Sequence, residues 1–213
     1  MCGRVIVTSP EEVLKQLFDL TVMPDVLPLR YNLAPTDPIP ILREPHHLEL
    51  VRWGLTMKDP RHAGINAKVE NLGRVYGDAI TNHRCLVVTD GFFEWKRVGD
   101  KKYPFLIQRG DGAPMVFAGI YDANGCAIIT APSQGLVKTL HDRMPIVLER
   151  EQFPIWLDHN VRDVKSILHG ANANGLTMFP VSPDVNKVAN DRPSLIKRAP
   201  EPAVDEPRQR SLF

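Results

Sequence analysis

The chain has 213 residues, 43% of them hydrophobic, which is enough for one substantial core and predicts a single domain. The formal net charge of +1 excludes a global basic field for nucleic acid, so such binding has to come from a local patch. Cys2, Cys85 and Cys126 form no CxxC pair, and the sequence has no HExxH motif, no signal peptide before Cys2 and no apolar run approaching the ~20 residues of a membrane span. We therefore expect a soluble cytoplasmic protein with free thiols, without a membrane anchor, metal or other cofactor.

The first third of the chain predicts few regular elements. A short strand is expected at residues 5–7, followed by a helix that ends near Leu20. Ser9-Pro10-Glu11-Glu12 has the pattern of a capping box with proline at the first helical position. Residues 21–40 hold five prolines and predict an extended loop, and residues 48–55 alternate like a strand.

The remainder predicts mainly strands. Asn66 is expected to cap a helix that ends near Asn82, and the Gly99-Asp100 pair indicates a hairpin. Other strands are expected at residues 85–89, 103–108, 115–121, 126–130, 146–148 and 176–181, and short helices at 133–140, 150–158 and 161–169. The strands do not alternate with helices in a βαβ rhythm, which favours an α+β fold. We expect a compact single domain over 1–198, with a mostly antiparallel, barrel-like β-sheet core and peripheral helices, and a disordered tail over 199–213.

Cys2 is a candidate reactive residue because removal of Met1 would leave an amine and a thiol on adjacent carbons. An α-amine titrates near pH ~8 and a free thiol near ~8.5, so both have a nucleophilic fraction at neutral pH. The amine can form an imine with an aldehyde, and the thiol can then close on the imine carbon to give a thiazolidine. The sequence alone leaves open the alternative that Cys2 is merely the second residue of an N-terminal strand.

Five separated stretches together resemble the SRAP family, the abasic site processing proteins that are also called SOS response-associated peptidases. In chain order they are Met1-Cys2-Gly3-Arg4, Tyr31-Asn32-Leu33-Ala34-Pro35, Ile65-Asn66-Ala67-Lys68-Val69-Glu70, Asp90-Gly91-Phe92-Phe93-Glu94-Trp95-Lys96 and His141-Asp142-Arg143-Met144-Pro145. The resemblance covers about residues 2–197 and includes the closing stretch 185–191. It implies a compact α+β fold around a small barrel and covalent capture of abasic sites in single-stranded DNA, through the aldehyde of the ring-opened sugar.

The resemblance also implies roles for individual residues. Cys2 would form the bond, Glu94 and His141 would move protons, and Asn66 would hold the sugar oxygens or the thiazolidine. Without the resemblance, the sequence favours a solvent-facing strand residue for Glu94 and helix caps for His141 and Asn66. The candidates for contacts to DNA are Arg4, Arg30, Asn32, Pro35, Trp53, Lys68, Trp95, Thr130 and Arg143.

Two of these DNA candidates have open questions. Lys68 stands where the family motif often has Arg, which keeps the charge but loses the bidentate fork that suits a phosphate. Trp53 is as readily a core residue as a base-stacking one.

The last five residues, Gln209-Arg210-Ser211-Leu212-Phe213, resemble the short peptide with which bacterial polymerases and repair proteins bind the sliding clamp. Leu212 and Phe213 would fill an apolar pocket, and Gln209 would form a hydrogen bond at its rim. The proline-rich segment before them suits a tether. The expected partners of a monomer are therefore single-stranded DNA with abasic sites and the sliding clamp, in a cytoplasmic protein that joins the nucleoid when DNA is damaged.

Three other functions remain open on the sequence. A class II glutamine amidotransferase also begins Met-Cys-Gly and uses the thiol of Cys2, although no convincing glutamine-binding Arg motif is present. A self-processing peptidase would use Cys2, Glu94 and His141 to remove Met1 or a short leader. A binding module would contact DNA without covalent chemistry.

Overall fold

The computed structural model of the protein describes residues 2–56, 64–168 and 173–201. In chain order the strands are β1 Val5–Val7, β2 Arg30–Leu33, β3 Pro38–Glu44, β4 His47–Arg52, β5 Asn66–Lys68, β6 Arg84–Thr89, β7 Gly91–Val98, β8 Lys101–Arg109, β9 Met115–Tyr121, β10 Cys126–Pro132, β11 Arg143–Pro145, β12 Val147–Leu148 and β13 Leu176–Pro180. The helices are α1 Glu11–Phe18, α2 Leu72–Val75, α3 Gly77–Asn82, α4 Phe153–Leu157 and α5 Lys165–Leu168. Single 3₁₀ turns occupy Val69–Asn71, Gly135–Thr139, Arg150–Gln152, Pro183–Asn186 and Pro193–Ile196.

The strands form two sheets. The first has the order β13-β8-β7-β1-β2, and the second has the order β11-β10-β9-β6-β3-β4, with β12 paired to β9 and β5 paired to β10. These strands pair antiparallel throughout, apart from the parallel pair of β5 with β10. The predicted α+β class with mostly antiparallel strands is confirmed, although the strands form two sheets rather than one closed barrel.

The hairpin of β7 and β8 separates two hydrophobic clusters. Because successive side chains of a strand point to opposite faces, Phe92 and Ile107 enter the large cluster between the sheets, whereas Phe93 and Leu106 enter a smaller one. Full burial of such a side chain contributes about 1.5–3 kcal/mol. The hairpin is therefore anchored on both faces, which fixes the position of the residues that follow Phe93.

The predicted hairpin turn is confirmed. Val98 pairs with Lys101, so Gly99 and Asp100 form a two-residue connection. Gly99 has a φ of 57°, in the left-handed region that glycine adopts without strain.

The structure corrects the expected start of α1. The helix begins at Glu11 after Pro10, and no side chain caps it. The Ser9 hydroxyl donates instead to the carboxylate of Asp90, which also accepts the backbone N–H of Ser9. A tertiary partner has therefore replaced the capping box.

Three other predictions differ from the structure. Residues 21–40 are not one loop, because β2 and the start of β3 lie within them. Asn66 does not cap a helix: it begins β5, and helix α2 starts only at Leu72. The helix expected at 161–169 starts later than predicted, since α5 begins at Lys165.

The C-terminal segment stays attached to the first sheet up to the end of the predicted domain. Val181 bridges to Arg198, and Ala199 donates its N–H to the carbonyl of Pro180 over 2.8 Å. The predicted clamp-binding peptide lies outside the described residues. Within the part of the chain that the structure describes, no helix combines the length and apolar character needed to cross a membrane.

Candidate active site at the edge of strand β7

Strand pairing brings the N-terminal segment beside Glu94. Val5 pairs with Phe92, and the N–H of Phe93 donates to the carbonyl of Arg4 over 2.9 Å. The segment 2–4 therefore continues along the edge of β7 next to Glu94. Cys2 itself is fully buried.

The same edge opens into a cleft of about 600 Å³. Strand β1 pairs with β7 only at Gly91 and Phe92, so the second half of β7 extends beyond it. The cleft is lined by side chains from the β7–β8 hairpin, from the segment before β11 and from the C-terminal segment, among them Glu94, Trp95, Arg97, Lys102, His141 and Asn186.

Glu94 is a carboxyl group in an apolar environment, with only 3% of the residue exposed. Burial raises the pKa of Glu94 above its usual range, and nearby positive charge, including that of His141, opposes part of the rise. Burial, reinforced by the charge of Glu94, also raises the pKa of the Cys2 thiol. The thiol is therefore protonated at neutral pH, and Glu94 retains a proton at a pH where an exposed glutamate would have lost it.

His141 has a defined hydrogen-bonding state at the cleft. The backbone N–H of Arg143 donates to His141 Nδ1 over 3.0 Å, so the neutral ring carries its proton on Nε2. Nδ1 also lies 2.8 Å from the carboxylate of Asp142, to which the protonated ring would donate. His141 thus has one partner for each protonation state, as a group that moves protons requires.

Asn66 joins the site through both ends of its amide. Its Nδ2 donates to the carbonyl of Cys2 over 2.7 Å. Its Oδ1 is buried and has no hydrogen-bond partner among the described residues. An unused buried acceptor costs about 1–3 kcal/mol, and such groups persist where a ligand supplies the donor.

The four residues expected to carry the chemistry therefore come together. Asn66 contacts Cys2 directly, and Glu94 interacts electrostatically with both Cys2 and His141.

Arg143 is engaged by the protein itself. Its guanidinium donates to Glu70 Oε1 over 2.5 Å, to Glu70 Oε2 over 3.0 Å and to the carbonyl of Thr130 over 2.5 Å. Thr130 is fully buried, whereas Lys68, which pairs with it across β5 and β10, is exposed. Of these DNA candidates, Lys68 is the one whose charge faces solvent.

Arg4 and Asn32 hold the C-terminal segment against the N-terminus. Arg4 donates to Asn32 Oδ1 over 2.6 Å and to the carbonyl of Val185 over 2.7 Å. The buried Asn32 amide donates to the carbonyls of Val185, Lys187 and Asn190. These contacts fix the N-terminal segment that carries Cys2.

Arg30 continues this set of contacts through ion pairs to Asp37 at 2.7 Å and Asp191 at 2.5 Å. Pro35 is half-buried just after β2.

The two candidate tryptophans occupy different environments. Trp53 is fully buried and donates its indole N–H to the carbonyl of Ile65 over 2.9 Å, so it belongs to the core and has no face for a base. Trp95 is half-buried, lines the cleft and donates to Asn186 Oδ1 over 2.7 Å. The hydrogen bond holds the ring of Trp95 in one orientation at the cleft.

Sequence reasoning missed Glu70, Arg97, Lys102 and Asn186. The hairpin prediction contained the signal for two of them, because it sets Arg97 opposite Lys102.

In the described ranges, no group of three or more His, Cys, Asp or Glu residues is placed to hold a metal ion.

Comparisons with known proteins agree on one family. The family model described as SOS response associated peptidase (SRAP) matches residues 1–188. The abasic site processing protein YedK of Escherichia coli is 34% identical over 92% of this chain and 99% of its own length. YMR114C of Saccharomyces cerevisiae, named likewise, is 33% identical over 83% of this chain, which spans 55% of the yeast protein.

Solved structures show the same fold. A protein from Bacteroides thetaiotaomicron superimposes with a TM-score of 0.79 at 21% identity, over 93% of this chain and all of that one. A phage-related protein from Bordetella bronchiseptica gives a TM-score of 0.71 at 28% identity, over 84% of this chain and 94% of that one.

Proposed function

Because the chain belongs to the SOS response-associated peptidase (SRAP) family, we propose that it processes abasic sites in DNA by forming a covalent crosslink at the lesion. The substrate is single-stranded DNA, in which the ring-opened sugar exposes an aldehyde. The observation that carries the proposal is the grouping of four residues: Asn66 bonds to Cys2, Cys2 lies beside Glu94, and Glu94 and His141 line the cleft.

The reaction begins after removal of Met1, when the amine of Cys2 is free to attack the aldehyde carbon. Loss of the aldehyde oxygen as water gives an imine, and Glu94, whose pKa is raised by burial, supplies the proton for that departure. The sulfur of Cys2 then bonds to the imine carbon, and the thiol proton passes to the nitrogen. One water is released in total, and no oxidant is needed.

His141 and Asn66 act on the sugar. His141 in its protonated form gives a proton to the ring oxygen, the bond from that oxygen to C1′ breaks, and the imidazole then takes the proton of the C1′ hydroxyl, which leaves the aldehyde. Asn66 holds the carbonyl of Cys2 with its Nδ2, and its Oδ1 accepts from a sugar hydroxyl or from the free amine.

The alternative of a class II amidotransferase is less well supported. That chemistry attacks an amide carbonyl through the thiolate of Cys2, whereas burial raises the pKa of this thiol. An amine that attacks first does not need the thiolate, so imine formation fits the environment better.

The experiment is incubation with a single-stranded oligonucleotide carrying one abasic site, followed by a heated denaturing gel. The parent protein gives a heat-stable shifted band. Cys2→Ala keeps an N-terminal amine and gives only an imine that borohydride has to trap. Cys126→Ala, which removes another buried thiol, crosslinks like the parent. A heat-stable Cys2→Ala adduct of normal yield would rule out the thiazolidine.

We also propose that residues 209–213 bind the bacterial sliding clamp, on the strength of the sequence motif alone. The binding would raise the local concentration of the protein where replication stalls.

A further inference from the structure

The β7–β8 hairpin carries two pairs of cations on opposite faces near its turn. Arg97 pairs directly with Lys102, and both line the cleft. Lys96 pairs with Tyr103 and Lys101 pairs with Val98, so these two lysines occupy the other face.

The cleft-facing pair is repulsive in the free protein. Residues directly opposite in an antiparallel pair have Cβ atoms about 4.5–5.5 Å apart, and like-charged side chains at such opposite positions destabilise the pair. Neither Arg97 nor Lys102 forms an ion pair with a carboxylate of the described residues, whereas Arg109, further along the same strand, has both Asp111 and Glu149. An anion between Arg97 and Lys102 would remove the repulsion.

We propose that Arg97 and Lys102 together bind one backbone phosphate of the DNA strand beside the lesion, which rests on the function proposed above. The planar guanidinium of Arg97 offers a bidentate contact and Lys102 a point charge, so a single phosphate satisfies both. Trp95 lies on the same face two residues before Arg97, with its indole held by Asn186, and is placed to stack the adjacent base. The site thus contacts one phosphate and one base next to the abasic position.

The test is noncovalent binding of a fluorescein-labelled single strand that contains a tetrahydrofuran abasic analogue. This analogue has no aldehyde, so the crosslink cannot form. Anisotropy titrations over a series of salt concentrations compare the parent with Arg97→Gln/Lys102→Gln. Loss of one phosphate contact lowers the slope of log K against log salt by about 0.7 and weakens affinity about fivefold at 0.1 M salt.

A matched control removes the same charge from the other face of the same hairpin. Lys96→Gln/Lys101→Gln keeps the parent slope and affinity. The exchange Arg97→Lys/Lys102→Arg retains the charge and also retains the slope, which separates phosphate binding from a merely structural role. Thermal unfolding of Arg97→Gln/Lys102→Gln occurs at the parent temperature or above, because a repulsion has been removed.

The proposal is overturned if Arg97→Gln/Lys102→Gln keeps the parent slope, or if the control pair lowers it equally. Crosslinking of the parent to a true abasic site is scored separately. If the parent protein binds the analogue but never crosslinks to a true abasic site, the covalent chemistry is refuted. The phosphate site is then still judged by the slopes of log K against log salt.

Discussion

At the residue scale, the site places Glu94 where its charged form is unfavourable. The carboxyl group is almost fully buried beside Cys2, and burial raises its pKa. A folded-state pKa above the unfolded value means that the contribution to stability is full at acid pH and is lost as pH rises through the folded pKa. Stability is thereby lowered at neutral pH, a cost that is consistent with the role of proton donor proposed for Glu94.

Glu94→Gln is therefore expected to affect rate and stability in opposite directions. Crosslinking slows by about 10²–10⁴-fold, the usual contribution of general acid-base catalysis. The melting temperature rises at neutral pH, because the raised pKa of Glu94 opposes folding there and a neutral amide does not titrate, and the difference disappears at acid pH, where Glu94 is protonated in both the folded and the unfolded state. Single-turnover gels and melting curves across pH measure the two effects. A variant that is less stable than the parent at every pH would contradict this account of Glu94.

At the element scale, local patterns predicted elements whose partners are close in sequence. The hairpin of β7 and β8 followed from alternation and the Gly99-Asp100 turn. Strand β5 was mistaken for the start of a helix because what defines it is its parallel pairing with β10, which brings Asn66 opposite Ile128. Tertiary pairing overrides local propensity there.

For the candidate site too, the sequence predicted local features and missed those that depend on distant segments. The motifs identified Cys2 and Glu94, whose chemistry is visible in their residue types. They could not show that Trp53 is buried or that Arg143 is paired with Glu70, because burial and ion pairing depend on segments remote in sequence.

The hydrogen bonds of Asn32 join elements that are distant in sequence and give a clear prediction for stability. Its amide shares two N–H groups among the carbonyls of Val185, Lys187 and Asn190, within and just after the 3₁₀ turn Pro183–Asn186, and Arg4 donates to its oxygen. Asn32→Leu removes these hydrogen bonds, although the Val185 carbonyl keeps Arg4 as a donor, and is expected to lower the free energy of unfolding by about 3 kcal/mol. Urea denaturation measures the loss. Asn82→Ala, at an exposed asparagine that bonds to Asp78 within its helix and accepts from the exposed Arg162, changes stability by less than about 0.5 kcal/mol. Equal losses in the two variants would contradict the role given to Asn32.

At the scale of the whole molecule, we expect the domain to bind DNA and form the crosslink, and the tail to tether the domain to the sliding clamp. The net charge of +1 predicts few phosphate contacts and a moderate salt dependence of DNA binding. Docking to a partner at the replication fork would compensate for that modest affinity by raising the local concentration.

The clamp prediction is tested with a labelled peptide of residues 200–213 and purified bacterial sliding clamp. Binding saturates below about 100 μM, a range typical of a short peptide that fills one pocket. The double variant Leu212→Ala/Phe213→Ala does not bind, because its pocket-filling side chains are gone. Equal binding by both peptides would exclude the motif.

The central claim is that the amine and the thiol of Cys2 end in one ring with the sugar carbon. Trypsin cleaves after Arg4, so the crosslinked protein, digested with nuclease and trypsin, yields the peptide Cys2-Gly3-Arg4. Tandem mass spectrometry is predicted to find this peptide without Met1, carrying the sugar remnant less one water, with neither the amine nor the thiol open to labelling. An adduct whose thiol still reacts with iodoacetamide, or one in which Met1 is retained, would contradict the account.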